Sequence, residues 1–120
     1  MYAAGNKVDN YIATIDLNGQ QIDGSTDDVL PLGDVAEKFR VFGWDVLEIA
    51  NGNDLQQVID GLKEAKSRTG KGKPVGVVMT TMMGNGVDFM MHTHAWHGKA
   101  PNDEQLKIAL TQNPETLGDY

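Results

Sequence analysis

Ile12-Ala-Thr-Ile-Asp-Leu-Asn-Gly-Gln-Gln-Ile-Asp-Gly24 is the stretch from which the fold is read. It begins as a buried strand: Tyr11, Ile12, Ile15 and Leu17 are β-formers or large apolar residues, and the first charge in it is Asp16. It ends in side-chain oxygens and turn residues, namely Asp16, Asn18, Gly19, Asp23 and Gly24. In an open parallel α/β sheet, ligands sit beyond the carboxyl ends of the strands, so polar groups placed there are the first candidates for a site. Asn18 offers a neutral oxygen, and the bend after it can turn backbone carbonyls inward. Such hard oxygens suit Mg²⁺, which takes one or two carboxylates and completes its shell with water and substrate phosphates. The same Asn-Gly also reads as a plain turn.

Outward from this stretch, the pattern alternates between helix and strand. Met1 to Lys7 reads as the last turn of a helix, with Gly5-Asn6 as its C-cap. A helix so short is unstable alone, so the domain looks cut at its start. Ser25 to Asp28 reads as a polar loop, and Pro31 breaks it. Asp34 to Phe42 is an amphipathic helix with Asp34 as N-cap and Glu37 completing a capping box. Gly43 stops it, and Trp44 to Ile49 alternates as a half-buried strand. Asn53 or Asp54 caps a helix that runs to about Ser67, with Leu55, Val58, Ile59, Leu62 and Ala65 as its buried stripe. Arg68 to Lys73 is a flexible, solvated basic loop that lacks the P-loop spacing. Pro74 to Thr80 is an uninterrupted apolar run, as expected of a fully buried parallel strand. Thr81 to Val87 is a second glycine-rich turn at a strand's carboxyl end. Asp88 to Lys99 is irregular, Pro101 to Leu110 carries a last helix, and 111–120 is a polar tail. Strand–helix–strand–helix–strand predicts right-handed crossovers and a parallel sheet flanked by helices, a three-layer α/β fold.

Composition narrows the function. The 120 residues suffice for one domain with one core, and no linker or repeat divides them. A formal net charge of −7 argues against nucleic acid as partner, because phosphate backbones need a basic face. It leaves room for a small phosphorylated molecule held by local amides and a lysine or two. With no cysteine there is neither disulfide nor thiolate metal site. No window approaches the ~18 consecutive apolar residues of a membrane span, and no signal-peptide pattern opens the chain. The expected location is the cytoplasm.

The three histidines, His92, His94 and His97, all fall in one loop. Three imidazoles so close can bind a transition metal, but these spacings do not match a helical face, and a surface or substrate-facing loop is the better reading. His97 stands apart, between Trp96 as a packed anchor and Gly98-Lys99, where backbone can approach a ligand and an ammonium can meet a phosphate.

Asn18-Gly-Gln-Gln-Ile-Asp-Gly24, Phe42-Gly-Trp-Asp-Val-Leu47, Lys73-Pro74, Met79-Thr-Thr-Met-Met-Gly-Asn-Gly-Val87 and Trp96-His-Gly-Lys-Ala-Pro101, in that order, resemble transketolase. They look like the second half of its N-terminal, thiamin diphosphate-binding domain, and most resemble the bacterial form in which that domain is a separate gene product. The resemblance runs from Met1 to about Leu110. It implies a cofactor-binding α/β domain, incomplete in this chain, with residues 111–120 outside it. It implies that Asn18 is a Mg²⁺ ligand through its side-chain oxygen and that Gln20 gives the same ion a backbone carbonyl. Ile22 would pack on the cofactor. His97 would lie near the diphosphate and the sugar, as the catalytic histidine, and Lys99 would contact the diphosphate. Met83 stands among the cofactor contacts, where other members carry Ile or Lys. His92 and His94 have no counterpart. The family's Gly-Asp-Gly segment, whose aspartate also binds Mg²⁺, is absent, as is the pyrimidine-binding domain with its glutamate. The resemblance therefore implies complementary chains, sugar phosphate substrates and an oligomer. Transfer of a two-carbon ketol unit between sugar phosphates is the expected activity. Deoxyxylulose-phosphate synthase, dihydroxyacetone synthase and a non-catalytic assembly module on the same fold are the alternatives.

Overall fold

The structure, a computed structural model, describes residues 1–113. Its centre is β5 (Val75–Thr80), whose first four residues are all buried, as its apolar run predicts. β1 (Ile12–Leu17) pairs with one side of β5 and β4 (Asp45–Ile49) with the other, both parallel, giving the order β1-β5-β4. The chain moves out from β1 to β4 and then back to β5. With right-handed crossovers that reversal puts the two connecting helices on opposite faces. The packing agrees. α4 (Leu55–Arg68) brings Ala65 onto the face made by Leu47, Ile49, Val75 and Val77. α3 (Val35–Val41) lies on the other face, where Phe39 and Trp44 stand over Gly76. The result is the expected three-layer arrangement. Val75 and Val77 are fully buried, each contributing about 1.5–3 kcal/mol of hydrophobic stabilisation.

Several elements are tied as their residues suggest. Asp34 and Asp54 each accept the backbone N–H three residues on, capping α3 and α4. Only half of the expected capping box forms in α3, because Glu37 pairs instead with Arg40 at 3.6 Å. α1 (Tyr2–Gly5) ends with Lys7 N–H on Ala4 O and Val8 N–H on Ala3 O, with Lys7 itself in the left-handed region. α5 (Asp103–Gln112) has a full capping box between Asn102 and Gln105. It runs two residues into the segment read as a tail, with Asn113 as its C-cap; 114–120 lie outside the described residues.

Elsewhere the structure corrects the sequence reading. β1 is half-buried rather than buried, because it borders the described sheet on one side only. On α4 the inward positions are Val58, Gly61 and Ala65, whereas Leu55 is 74% exposed and Ile59 and Leu62 about 40%. The helix carries a wider apolar arc than the strands beneath it cover. The basic loop is not free: Gly70 N–H and Gly72 N–H both bond to Asp9, at 2.8 and 2.9 Å. Ser25 to Asp28 is no loop but the start of α2 (Thr26–Val29), with Ser25 as its N-cap. Among the described residues no helix is long and apolar enough to cross a membrane.

Candidate functional site

All three strands end on the same side of the sheet, and the loops that follow them meet there. The turn after β1 is built by Asn18. Its Oδ1 accepts the Gln20 N–H at 2.9 Å, and Gly19, at φ +70°, supplies the left-handed bend this requires. Gly19 O then accepts Thr26 N–H at 2.9 Å, closing a small hairpin of β2 (Gln20–Gln21) against β3 (Gly24–Ser25). Ile22 sits at the hairpin tip, 67% exposed. Directly after β3, Ser25 caps α2: its hydroxyl accepts Asp28 N–H and donates to the Asp28 carboxylate.

An open cleft of about 300 Å³ lies between this hairpin and the end of β5. Asn18, Gly19, Thr26, Asp27, Gly33, Thr80 and Thr81 line it, with Leu17 and Leu32 as its apolar part. Of the residues expected from the sequence, only Asn18 lines this cleft; Gln20 adjoins it through its bond to the Asn18 side chain. An amide oxygen has two lone pairs, so Asn18 Oδ1 keeps one for a cation after accepting from Gln20. Gln21 Nε2 is, among the described residues, a buried donor without a partner. Asn18 Oδ1 and Asp27 in the lining, with Asp16 two residues before Asn18, are hard oxygens that fit a hydrated Mg²⁺ carrying a diphosphate.

The second expected group lies in the loop after β5 and stays apart from the cleft. A 3₁₀ turn, His94–Trp96, is capped by Thr93. Trp96 is the anchor expected: its indole donates to Phe89 O at 2.8 Å and meets the Phe89 ring edge-on at 5.2 Å. His97 follows it, exposed. Lys99 lies with its ammonium 5.0 Å from the centre of the Trp96 ring, which holds the cation. Met83 is half-buried in the turn after β5. His92, at φ +58°, and His94 are both exposed. Among the described residues no three His, Cys, Asp or Glu side chains converge on a metal position.

Sequence reasoning missed the groups that hold this end of the sheet together. Thr81 donates its hydroxyl to Asp16 across the β1–β5 boundary. Asn53 Oδ1 accepts Met82 N–H at 2.7 Å, and Gly52 N–H donates to Thr80 O at 2.7 Å. The available signal was the polar residue ending each strand. For α2, Ser25 with Asp28 three positions on was already a capping pattern.

Comparison with known proteins agrees with this fold. The family model for transketolase, thiamine diphosphate binding domain, matches residues 1–116. The chain is 36% identical over 116 residues to one of the subunits of the apulose-4-phosphate transketolase of Phocaeicola vulgatus, covering 95% of this chain and 40% of that relative. It is 33% identical over 112 residues to a 6-deoxy-6-sulfo-D-fructose transketolase subunit of a Clostridium species, covering 93% and 40%. A transketolase from Pichia stipitis, crystallised with sedoheptulose 7-phosphate, superposes with a TM-score of 0.82 at 30% identity, covering 92% of this chain and 16% of that one. The chain thus spans well under half the length of these relatives.

Proposed function

This chain belongs to the transketolase family, in its thiamine diphosphate-binding domain, and from that premise we propose that it forms the diphosphate and Mg²⁺ side of a transketolase active site. The assembled enzyme moves a two-carbon ketol unit from a ketose phosphate to an aldose phosphate. One feature carries the reading: the Asn18 turn, in which Asn18 lines the cleft at the carboxyl end of β1 and its side-chain oxygen accepts one hydrogen bond, from Gln20 N–H.

When bound, the cofactor supplies the nucleophilic thiazolium carbon for carbon–carbon cleavage. This chain's part is to bind and orient. Asn18 Oδ1 and the Gln20 carbonyl hold Mg²⁺, and Ile22 packs from the hairpin tip onto the cofactor. Met83 contributes an adaptable apolar contact. Lys99, leaving the Trp96 face, meets diphosphate oxygens, and His97 donates hydrogen bonds to diphosphate or sugar oxygens and passes protons at the latter. Residues 1–110 act as part of the domain. The Gly-Asp-Gly carboxylate and the pyrimidine-binding domain come from further chain, in the same polypeptide or a partner. The exposed apolar arc of α4 and the half-covered β1 are consistent with such completion. A cytoplasmic location and an oligomeric assembly belong to the same reading.

The test is Mg²⁺-dependent binding of thiamin diphosphate to the assembled protein, with Asn18→Ala beside the wild type. Loss of Mg²⁺-dependent binding in the variant supports the reading. Unchanged Mg²⁺ and cofactor affinity refutes the metal assignment.

A further inference from the structure

The Asn18 carboxamide is held from both sides. Its Oδ1 accepts the Gln20 N–H at 2.9 Å, and its Nδ2 lies 3.5 Å from Asp16 Oδ2. A backbone N–H only donates and an ionised carboxylate only accepts, so both neighbours demand the same orientation of the amide. Turning it over would set donor against donor and acceptor against acceptor. The carboxylate is itself fixed, because its other oxygen accepts the Thr81 hydroxyl. Thr81 has little freedom in turn: its methyl lies under Gly52, where even an added Cβ would stand 2.6 Å from it. The methyl is held there and the hydroxyl points to Asp16. Register explains the meeting. Leu17 is paired with Thr80, so Asp16 and Thr81 flank that pair at the shared end of β1 and β5.

We propose that Asp16 is a positioning residue for the cation site. It holds the Asn18 oxygen toward Mg²⁺, and Thr81 holds Asp16. The inference rests on the reading of Asn18 as a metal ligand, and it adds a layer behind that ligand which carries negative charge without touching the ion. Partners of this kind orient ligands and tune affinity, and losing one typically weakens metal binding about 10- to 100-fold.

The experiment titrates Mg²⁺ into the assembled protein with thiamin diphosphate in excess, following the cofactor's quenching of tryptophan fluorescence. The variants are Asp16→Asn, Asp16→Ala, Thr81→Val, Thr81→Ser and Asn18→Ala. In parallel, ¹H–¹⁵N spectra of the 120-residue chain record the Asn18 side-chain amide without metal. Both Asp16 variants should weaken Mg²⁺ roughly 10- to 100-fold. Thr81→Val should weaken it less, and Thr81→Ser, which keeps the hydroxyl, should restore it. The two Asn18 amide protons should shift in Asp16→Asn and Thr81→Val and stay in place in Thr81→Ser, a pattern that general loosening of the fold does not produce. Thr81→Val preserves shape, so it carries the test if Asp16→Ala fails to fold. Loss of Mg²⁺ binding in Asn18→Ala, with wild-type affinity in Asp16→Asn and Thr81→Val, overturns the inference and leaves the metal assignment standing. Wild-type affinity in Asn18→Ala overturns both.

Discussion

Replacing Gly52 with alanine puts a methyl group into a tight contact at the site end of the sheet. The new Cβ would stand 2.6 Å from Thr81 Cγ2, 2.9 Å from Met79 Cβ and 3.2 Å from Thr80 O. The last two belong to β5 itself, which is paired on both sides and cannot yield easily. The loop cannot yield either, because Gly52 N–H on Thr80 O and Asn53 Oδ1 on Met82 N–H staple it at 2.7 Å. Overpacking of this kind costs about 1–3 kcal/mol. Lower entropy of the unfolded chain returns about 0.4–1 kcal/mol, since Gly52 is not in the left-handed region. The expected net loss is about 1–2 kcal/mol. Urea unfolding followed through Trp44 and Trp96 measures it. Thr81→Ser removes only the 2.6 Å contact, so in that background part of the loss should return and part remain. A change smaller than about 0.5 kcal/mol, the usual scatter for an exposed substitution, would refute the claim that the loop and β5 are in rigid contact.

Gly61→Ala tests the same logic inside a helix. Its Cβ would meet Ile49 Cδ1 at 2.5 Å and Cγ1 at 2.9 Å, but helix propensity returns about 1 kcal/mol, so it should destabilise less than Gly52→Ala. In an Ile49→Val background, which removes the 2.5 Å contact and leaves the 2.9 Å one to Cγ1, it should cost less than in the wild type, and unfolding energies that merely add within about 0.5 kcal/mol would contradict this. Asp9→Ala leaves Gly72 N–H without its carboxylate partner, which lowers the opening energy of the basic loop by about 1 kcal/mol. Tryptic cleavage at Lys71 should then accelerate roughly fivefold. Trp96→Leu removes the ring that holds Lys99, worth about 0.5–1 kcal/mol. Thiamin diphosphate affinity should then shift in that variant and hardly further when Lys99→Gln is added, and fully additive effects would show that the two residues act apart.

What was legible in the sequence follows from how far each signal reaches along the chain. The uninterrupted run Val75 to Val78 marked the central strand, because a strand covered on both faces by helices and on both edges by strands has no polar side to display. Asp34 and Asp54 marked helix starts, because a cap acts on the residue three positions on. The inward face of α4 was not legible. Leu55, Ile59 and Leu62 advertise a face by their apolarity, yet the contact with the sheet is made by Gly61 and Ala65, whose small size lets the helix approach. Hydrophobicity shows which positions avoid water. Closeness of packing is carried by residues too small to register on that scale.

The site divides along the same line. The Asn18 turn is local: a carboxamide, a glycine and an N–H two residues on suffice to build it, so residue types alone announced it. The Asp16–Thr81 bond joins residues 65 apart, and it exists only because the β1–β5 register brings those two strand ends together. A one-residue slip of that register would part Asp16 from Thr81 and leave the carboxylate behind the Asn18 amide unheld. The affinity of this site for a cation is therefore a property of sheet registration as much as of its ligand. Substitutions that loosen the β1–β5 pairing far from the cleft, such as Val75→Ala at a fully buried position, should weaken Mg²⁺ binding in proportion to the register they release. A Val75→Ala variant that loses stability by urea unfolding yet binds Mg²⁺ as the wild type does would separate the two and show that the turn alone defines the site.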